Sequence, residues 1–355
     1  SNVFHITLSP IGEVDDVAAM QRADTAALRA IPGVAHAAWT NQVPMAQSGW
    51  GFGMTNTPDD TDTVIGVAAY FSGDSLVDAL GLRIVEGRDF LPGEYREVDP
   101  RTDIVHAESI IITRRVAELL FPGEASVVGR STYVYGQGGP QPTTIVGVAD
   151  TLMSPFAQLS ANGLNSFIFP VRFLGSSSNY VVRVDDPRQM PAIQRQAEQA
   201  LLALRNDRVL GQNRSMGEVR ATRYRPQTSL ASILIAVTAG LLLVTGSGIV
   251  GMASLWVMQR RKQIGTRRAL GARRVDILRY FLTENFMIGS AGVVVGLALA
   301  VALNDLLVRE LSMPRLPVEY LGGAAIGLWL LGLAAVLGPA WRAASVPPAV
   351  ATRSV

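Results

Sequence analysis

The sequence predicts an α+β external domain of two subdomains set on a helical transmembrane domain, with three membrane helices present and a further N-terminal one expected. Three observations carry this reading. Residues 1–228 alternate strand-like and helix-like segments and hold 19 basic against 24 acidic side chains, a net −5. Residues 229–355 hold 12 basic against 5 acidic, a net +7. In that second part the charges are bunched, leaving uncharged runs of 34 residues (226–259), 20 residues (285–304) and 22 residues (320–341). About 20 apolar residues in a helix cross the ~30 Å hydrocarbon layer, and a helix apolar all round is a buried or membrane helix.

In order along the chain, His5–Leu8 reads as an extended start. Val17, Met20, Ala27, Leu28 and Ile31 share one helical face after Asp15–Asp16, and Pro32-Gly33 stops that helix. Val34–Thr40 and Val64–Phe71 read as strands, and Ser75–Leu80 as a short helix ended by Gly81. Ser48-Gly49-Trp50-Gly51-Phe52-Gly53 reads as a glycine-rich surface loop carrying two aromatic rings. Ser109–Ile112 is a strand that runs into a helix ending near Phe121, before Pro122-Gly123. Ser131–Tyr135 and Thr143–Val148 form a hairpin, Ser166–Val171 and Tyr180–Val184 are further strands, and Met190–Leu204 is an amphipathic helix.

The membrane part divides into a stalk helix (229–258), a basic segment (259–281), a helix (282–306), a short loop (307–318), a helix (319–341) and a tail (342–355). At 1.5 Å per residue, Leu230–Met258 extends about 43 Å, longer than the hydrocarbon requires. Met216–Arg225 is expected to continue that helix outward, with Pro226 as a kink. Positions 260–279 carry eight basic residues against Asp276 alone. Basic loops stay cytoplasmic, so this segment and the tail are placed inside, and the acidic domain outside. An external domain of this size needs a signal or a preceding span, which is why one more N-terminal helix is expected.

Several chemistries are excluded by residue types. With no cysteine there is no disulfide and no thiolate chemistry. The only lysine, Lys262, follows Arg261, so no phosphate loop of the G-x-x-x-x-G-K-[ST] type exists. Gly246, Gly248 and Gly251 spell G-x-G-x-x-G, but inside an apolar run with no preceding strand. These glycines, with Gly292, Gly296, Gly323 and Gly327, instead suit close helix packing, within the chain or between subunits. His5, His36 and His106 have no metal-ligand spacing, and Asp59, Asp60 and Asp62 read as a solvated acidic loop. The balance of charge gives no basic face for nucleic acid, and no catalytic residue is assigned.

Arg261–Glu284, RKQIGTRRALGARRVDILRYFLTE, resembles the segment between the second and third transmembrane helices of MacB/FtsX-type ABC transporter permeases. Ala79–Phe90 (ALGLRIVEGRDF), Leu119–Gly129 (LLFPGEASVVG) and Thr144–Asp150 (TIVGVAD) resemble the external domain of the same family. Pro339-Ala340-Trp341-Arg342-Ala343-Ala344, followed by Pro348, is similar to its C-terminal motif. Two positions depart from the family pattern: Gln263 stands where a glutamate is usual, and Val350-Ala351-Thr352-Arg353 replaces the common A-L-R.

The resemblance implies a non-catalytic permease subunit in the bacterial inner membrane, with its large domain in the periplasm and its membrane-distal subdomain near 71–165. It implies a cytoplasmic ABC ATPase dimer holding ATP and Mg, no cofactor on this chain, and a second permease subunit, identical or homologous. A periplasmic adaptor and an outer-membrane exit duct are further implied partners, along with membrane lipid. ATP-driven motion would pass through the membrane to the periplasmic domain and drive export of periplasmic substrates. By carry-over, Gly265, Arg267, Arg268, Ala269, Leu270, Gly271, Ala272 and Asp276 would dock on the ATPase, expected here on a separate polypeptide. A lipoprotein-release permease and an FtsX-like regulator of cell-wall hydrolases are the alternatives within the family. A membrane-anchored enzyme is the rival outside it.

Overall fold

The computed structural model describes residues 2–46, 48–58, 63–136, 139–156, 161–175, 178–311 and 315–345. The acidic-loop positions Asp59, Asp60 and Asp62, and the tail from 346 onward, lie outside them. The chain divides into two units, Ser1–Gln227 and Thr228–Val355.

The first unit opens with β1 (Val3–Pro10), α1 (Val17–Arg29) and β2 (Val34–Thr40). It closes with β12 (Ser178–Val184), α4 (Met190–Leu204) and β13 (Arg208–Ser215). These strands form one four-stranded sheet in the order β13-β1-β12-β2, with both pairings of β1 and that of β12 with β2 antiparallel. Between β2 and β12 the chain inserts β3 (Gly51–Thr55), β4 (Ile65–Phe71), α2 (Leu76–Leu80), β5 (Ile84–Gly87), β6 (Arg96–Val98) and β7 (Ser109–Thr113). α3 (Arg114–Leu120), β8 (Ser131–Gly136), β9 (Gly139–Ala149), β10 (Ser166–Phe169) and β11 (Val171–Phe173) follow. Seven of these strands form a second sheet in the order β5-β9-β7-β10-β4-β3-β8, and β6 and β11 pair alone. Because β8 also pairs with the first half of β9, the six strands from β9 to β8 close into a ring. Ring closure removes the exposed edges that invite wrong pairing.

Local chemistry sets the helix ends. Asp16 accepts from the Ala19 N–H at the start of α1, and Ser75 accepts from the Asp78 N–H at the start of α2. Gly81 ends α2 at φ +68°, in the left-handed region that a side chain resists. The central strands β4, β7 and β10 are apolar on both faces: Phe167 and Phe169 enter one buried cluster, and Ile168 enters the other. That is why they read as continuous apolar runs rather than alternating ones.

The two sheets are stapled by side chains that mimic strand backbone. Asn41 donates to the Ala69 carbonyl (2.9 Å) and accepts from the Phe71 N–H (2.8 Å). Ser72 donates to the Trp39 carbonyl (2.6 Å), and Asn179 donates to the Asn41 carbonyl (3.0 Å). A buried ion pair locks the four-stranded sheet to its helices. Arg208 donates to both Asp24 oxygens (2.8 and 2.7 Å) and to the Leu201 carbonyl, while the Tyr180 hydroxyl donates to Asp24 (2.7 Å).

Three expectations change here. The segment read as a glycine-rich loop is in its second half strand β3, paired with β4 and β8. Gly53 sits where a Cβ would lie 2.8 Å from Val64 Cγ1, and Phe52 turns into the core against Phe71 and Phe167. The alternation Trp50-Gly51-Phe52-Gly53-Met54 is thus a period-two signal whose second face is glycine. The strand expected over Ser166–Val171 breaks at Pro170, which supplies no N–H to a ladder, into β10 and β11. β13, Arg-Val-Leu-Gly-Gln-Asn-Arg-Ser, is polar because it is a sheet edge, which hid it from hydrophobic patterning.

The second unit holds the rest of α5 (Met216–Gln259), then α6 (Arg261–Ala269), α7 (Arg274–Leu311) and α8 (Val318–Ser345). The outward continuation from Met216 is present, and α5 is one helix with Pro226 inside it. Three of the described helices are long and apolar enough to cross a membrane. Their apolar side chains are largely uncovered by protein, Ile235 and Leu243 being 69% and 75% exposed. Such surface is stable against lipid. Hydroxyls in these helices turn inward: Ser232 donates to the Thr228 carbonyl and Ser254 to the Val250 carbonyl. α7 packs on α8, with Phe286 stacked on Trp329 at 5.7 Å.

Two outcomes test this unit 1 architecture. Asp24→Leu alone is expected to lower unfolding stability in urea by about 3–5 kcal/mol, because it strands a buried guanidinium, while Asp24→Leu with Arg208→Met restores most of it. His5 is 2% exposed, and neither ring nitrogen has a hydrogen-bond partner among the described residues. Burial, with Arg214 adding to it, pushes its pKa down to about 4. The unfolded chain therefore binds this proton first as pH falls. Stability is expected to drop from about pH 6.5 towards pH 4 by up to about 3 kcal/mol, and urea titrations of His5→Leu should lose that slope.

Candidate functional site

The basic segment folds as a helix, a left-handed turn and a second helix start. Helical bonding crosses from α5 into α6 through the Ile264 N–H to the Arg260 carbonyl (2.9 Å). α6 buries Ile264 and Gly265 and exposes Gln263, Thr266, Arg267, Ala269 and Leu270. It ends in a Schellman turn: the Ala272 N–H reaches the Arg267 carbonyl (3.0 Å), and Gly271 takes φ +100°. The polar start of α7 is set by Asp276, whose Oδ2 accepts from the Arg273 N–H at 2.9 Å. A carboxylate there also meets the positive end of the helix dipole.

Beneath the turn, Ile264, Ile277 and Phe281 pack with Ala253 of α5 and Val336 and Ala340 of α8. Arg260 closes the arrangement, donating from Nη1 to both Glu284 oxygens (3.1 and 2.9 Å) and to the Tyr280 hydroxyl (3.2 Å). Arg267 lies 5.2 Å over the Tyr280 ring, a cation–π contact. The outcome is a hairpin that leaves Arg267, Ala269 and the 83% exposed Leu270 on its surface. Gln263, at the position of the usual glutamate, lines a recess of about 80 Å³ with Arg260, Arg267 and Asp276.

Of the residues singled out in the sequence, Gly265, Arg267, Ala269, Leu270, Gly271, Ala272 and Asp276 come together in this hairpin; the Arg268 side chain lies outside the described ones. Asp276 has a folding role that the sequence did not disclose, since it caps α7. Arg260, Tyr280 and Glu284 were missed as a unit. Their signal was an arginine and a glutamate each bordering an uncharged run. α7 begins at Arg274, so one helix carries both the end of the basic segment and the membrane run read from 282.

Among the packing glycines, only Gly246 has a neighbour among the described residues, with Leu331 Cδ1 3.8 Å from its Cβ position. Gly248, Gly251, Gly292, Gly296, Gly323 and Gly327 have no described atom within 4 Å of theirs. Close approach inside the chain runs instead through Gly332, whose Cβ position lies 3.4 Å from Asn285 Nδ2, and Gly289, 3.9 Å from Trp329 Cδ1.

Fold and hairpin describe a membrane protein with an extracytoplasmic α+β domain. Residues 1–200 match the MacB-like periplasmic core domain, and residues 235–348 match the FtsX-like permease C-terminal domain. The chain belongs to the MacB/FtsX family of ABC transporter permeases. It is 32% identical to the pyoverdine export ATP-binding/permease protein PvdT of Pseudomonas fluorescens over 52% of this chain and 28% of that one. It is 28% identical to PvdT of Pseudomonas aeruginosa over 81% of this chain and 42% of the relative. The macrolide export ATP-binding/permease protein MacB of Acinetobacter baylyi is 25% identical over 82% and 42% of the two chains. The chain thus spans less than half the length of these curated relatives. The extracellular domain of the ABC-type transporter YknZ from Gram-positive bacteria aligns at a TM-score of 0.36 and 16% identity, over 59% of this chain and all of that one.

Gly271→Ala is expected to strain the turn by about 1 kcal/mol, since a Cβ resists a positive φ. Limited trypsinolysis should then cut faster at Arg273 and Arg274, and Gly271→Asn should fall between the two.

Proposed function

We propose that this chain couples an ABC ATPase to its extracytoplasmic domain in an inner-membrane export system. The hairpin of α6 and the start of α7 receives the movement of the ATPase, with Leu270 and Ala269 as apolar contacts and Arg267 as the charged one. ATP and Mg belong to the ATPase, and this chain performs no chemistry of its own. The observation that carries the reading is α5, a single 44-residue helix joining β13 to the base of the hairpin. Its first turn is fastened to the strand by Glu218, which accepts from the Ser215 N–H (2.8 Å) and hydroxyl (2.9 Å). Its far end is fastened by Arg260 to Glu284. A helix held at both ends passes on rotation and displacement that a flexible linker would absorb.

Relatives bear the names of pyoverdine and macrolide exporters, which supports export of substrates from the extracytoplasmic side. A second permease subunit packs on the glycine faces left open within the chain, and an adaptor and exit duct complete the path outward. Two variants separate docking from transmission. Arg267→Glu with Leu270→Asp is expected to lose the ATPase on co-purification. Four glycines inserted after Gln227 should keep the ATPase bound and hydrolysing while transport falls at least tenfold, and four alanines should cost much less. Normal transport by the glycine insertion would overturn the proposal.

A further inference from the structure

The first unit contains a cavity of about 460 Å³ between α1, the turn after β4 and the β6–β11 pair. Four arginines line it, Arg22, Arg29, Arg96 and Arg172, against the carboxylates of Asp74 and Glu97, and Arg96 is paired with Glu108 (2.6 Å). This is a cationic hollow in a domain whose net charge is negative. Its volume lies in the range of small-molecule sites.

The arginines are not equivalent. Arg172 is 5% exposed, and Gly73 presses so closely that a Cβ there would lie 2.5 Å from Arg172 Nε. Its Nη2 donates to Asp74 Oδ2 (2.8 Å), but its Nη1 is buried without a hydrogen-bond partner among the described residues. A buried N–H left unpaired is a standing cost that an incoming acceptor recovers. Asp74 spans two guanidiniums, taking Arg29 on Oδ1 (2.8 Å) and Arg172 on Oδ2. Glu97 does the same less well: its Oε1 bonds Arg22 and lies 3.8 Å from Arg172 Nε, and its side chain is 40% exposed. The site therefore has one well-held carboxylate and one loosely held, displaceable one.

We infer that this cavity binds a small carboxylate-bearing ligand, whose carboxylate displaces Glu97 from between Arg22 and Arg172. Glu97 Oε1 faces both Arg22 and Arg172, so the position already holds a carboxylate, and a carboxylate is the anion expected to replace it. Tyr95, half-buried and packed against Phe90, also lines the cavity. The binding is independent of the coupling reading, since it requires neither ATPase nor nucleotide.

The test is calorimetry on the full chain in lipid nanodiscs. The probes are N-acetyl-alanyl-alanine with a free carboxylate, its C-terminal amide, succinate and inorganic phosphate. The free peptide or succinate is expected to bind at least tenfold more tightly than the amide and phosphate, and the ratio of those two separates a peptide end from a free organic acid. Arg22→Gln, an exposed change that leaves the fold intact, should weaken binding about tenfold. Glu97→Gln should strengthen it, since the internal competitor is gone. Equal binding of amide or phosphate, indifference to Arg22→Gln, weaker binding by Glu97→Gln, or no binding by wild type and Glu97→Gln alike would each overturn the inference.

Discussion

Hydrocarbon offers a polypeptide backbone no hydrogen-bond partner, so a chain crossing it must satisfy its own N–H and C=O groups. In this protein that constraint makes α5 a helix, and α5 carries the chain from the extracytoplasmic unit to the basic hairpin. The same requirement turns the hydroxyls of Ser232 and Ser254 back onto their own helix. What leaves the hydrocarbon is then fastened by polar contacts: Glu218 at one end of α5, Arg260 with Glu284 at the other. Where water is available, the chain uses charge; where it is absent, only periodic backbone bonding.

The extracytoplasmic unit solves a different problem. Its second sheet is an insertion between two strands of the first, so β2 and β12 must be held together across a long excursion of chain. Asn41, Ser72 and Asn179 do this by standing in for backbone at the crossing points. Asp24, Tyr180 and Arg208 then fix the first and last elements on each other. A buried ion pair adds little over a well-packed apolar cluster, yet losing one partner is severe. Its effect here is to make the closing strand β13, the strand that leads into α5, part of the domain's core register.

Much of this was legible in the order of residues. The spans followed from uncharged runs, and β2 and α4 from their apolar periods. β3 was hidden because glycine occupies its second face, and β13 because an edge strand has no need of an apolar one. The Arg260–Tyr280–Glu284 contact left only a faint mark, an arginine and a glutamate each bordering an uncharged run. The cavity around Arg172 had no linear signal, since its arginines come from α1, β6 and β11.

The sequence by itself determined the division into an acidic α+β half and a basic membrane half, the sidedness of the basic segment and the family motifs. These are one-dimensional properties: charge density, apolar run length, short local motifs. Only the tertiary structure decided that the second sheet closes into a ring, which glycines meet neighbours, and which arginine is buried with an unused donor. Those depend on pairing between residues far apart in the chain, where a single register step moves every side chain to the opposite face.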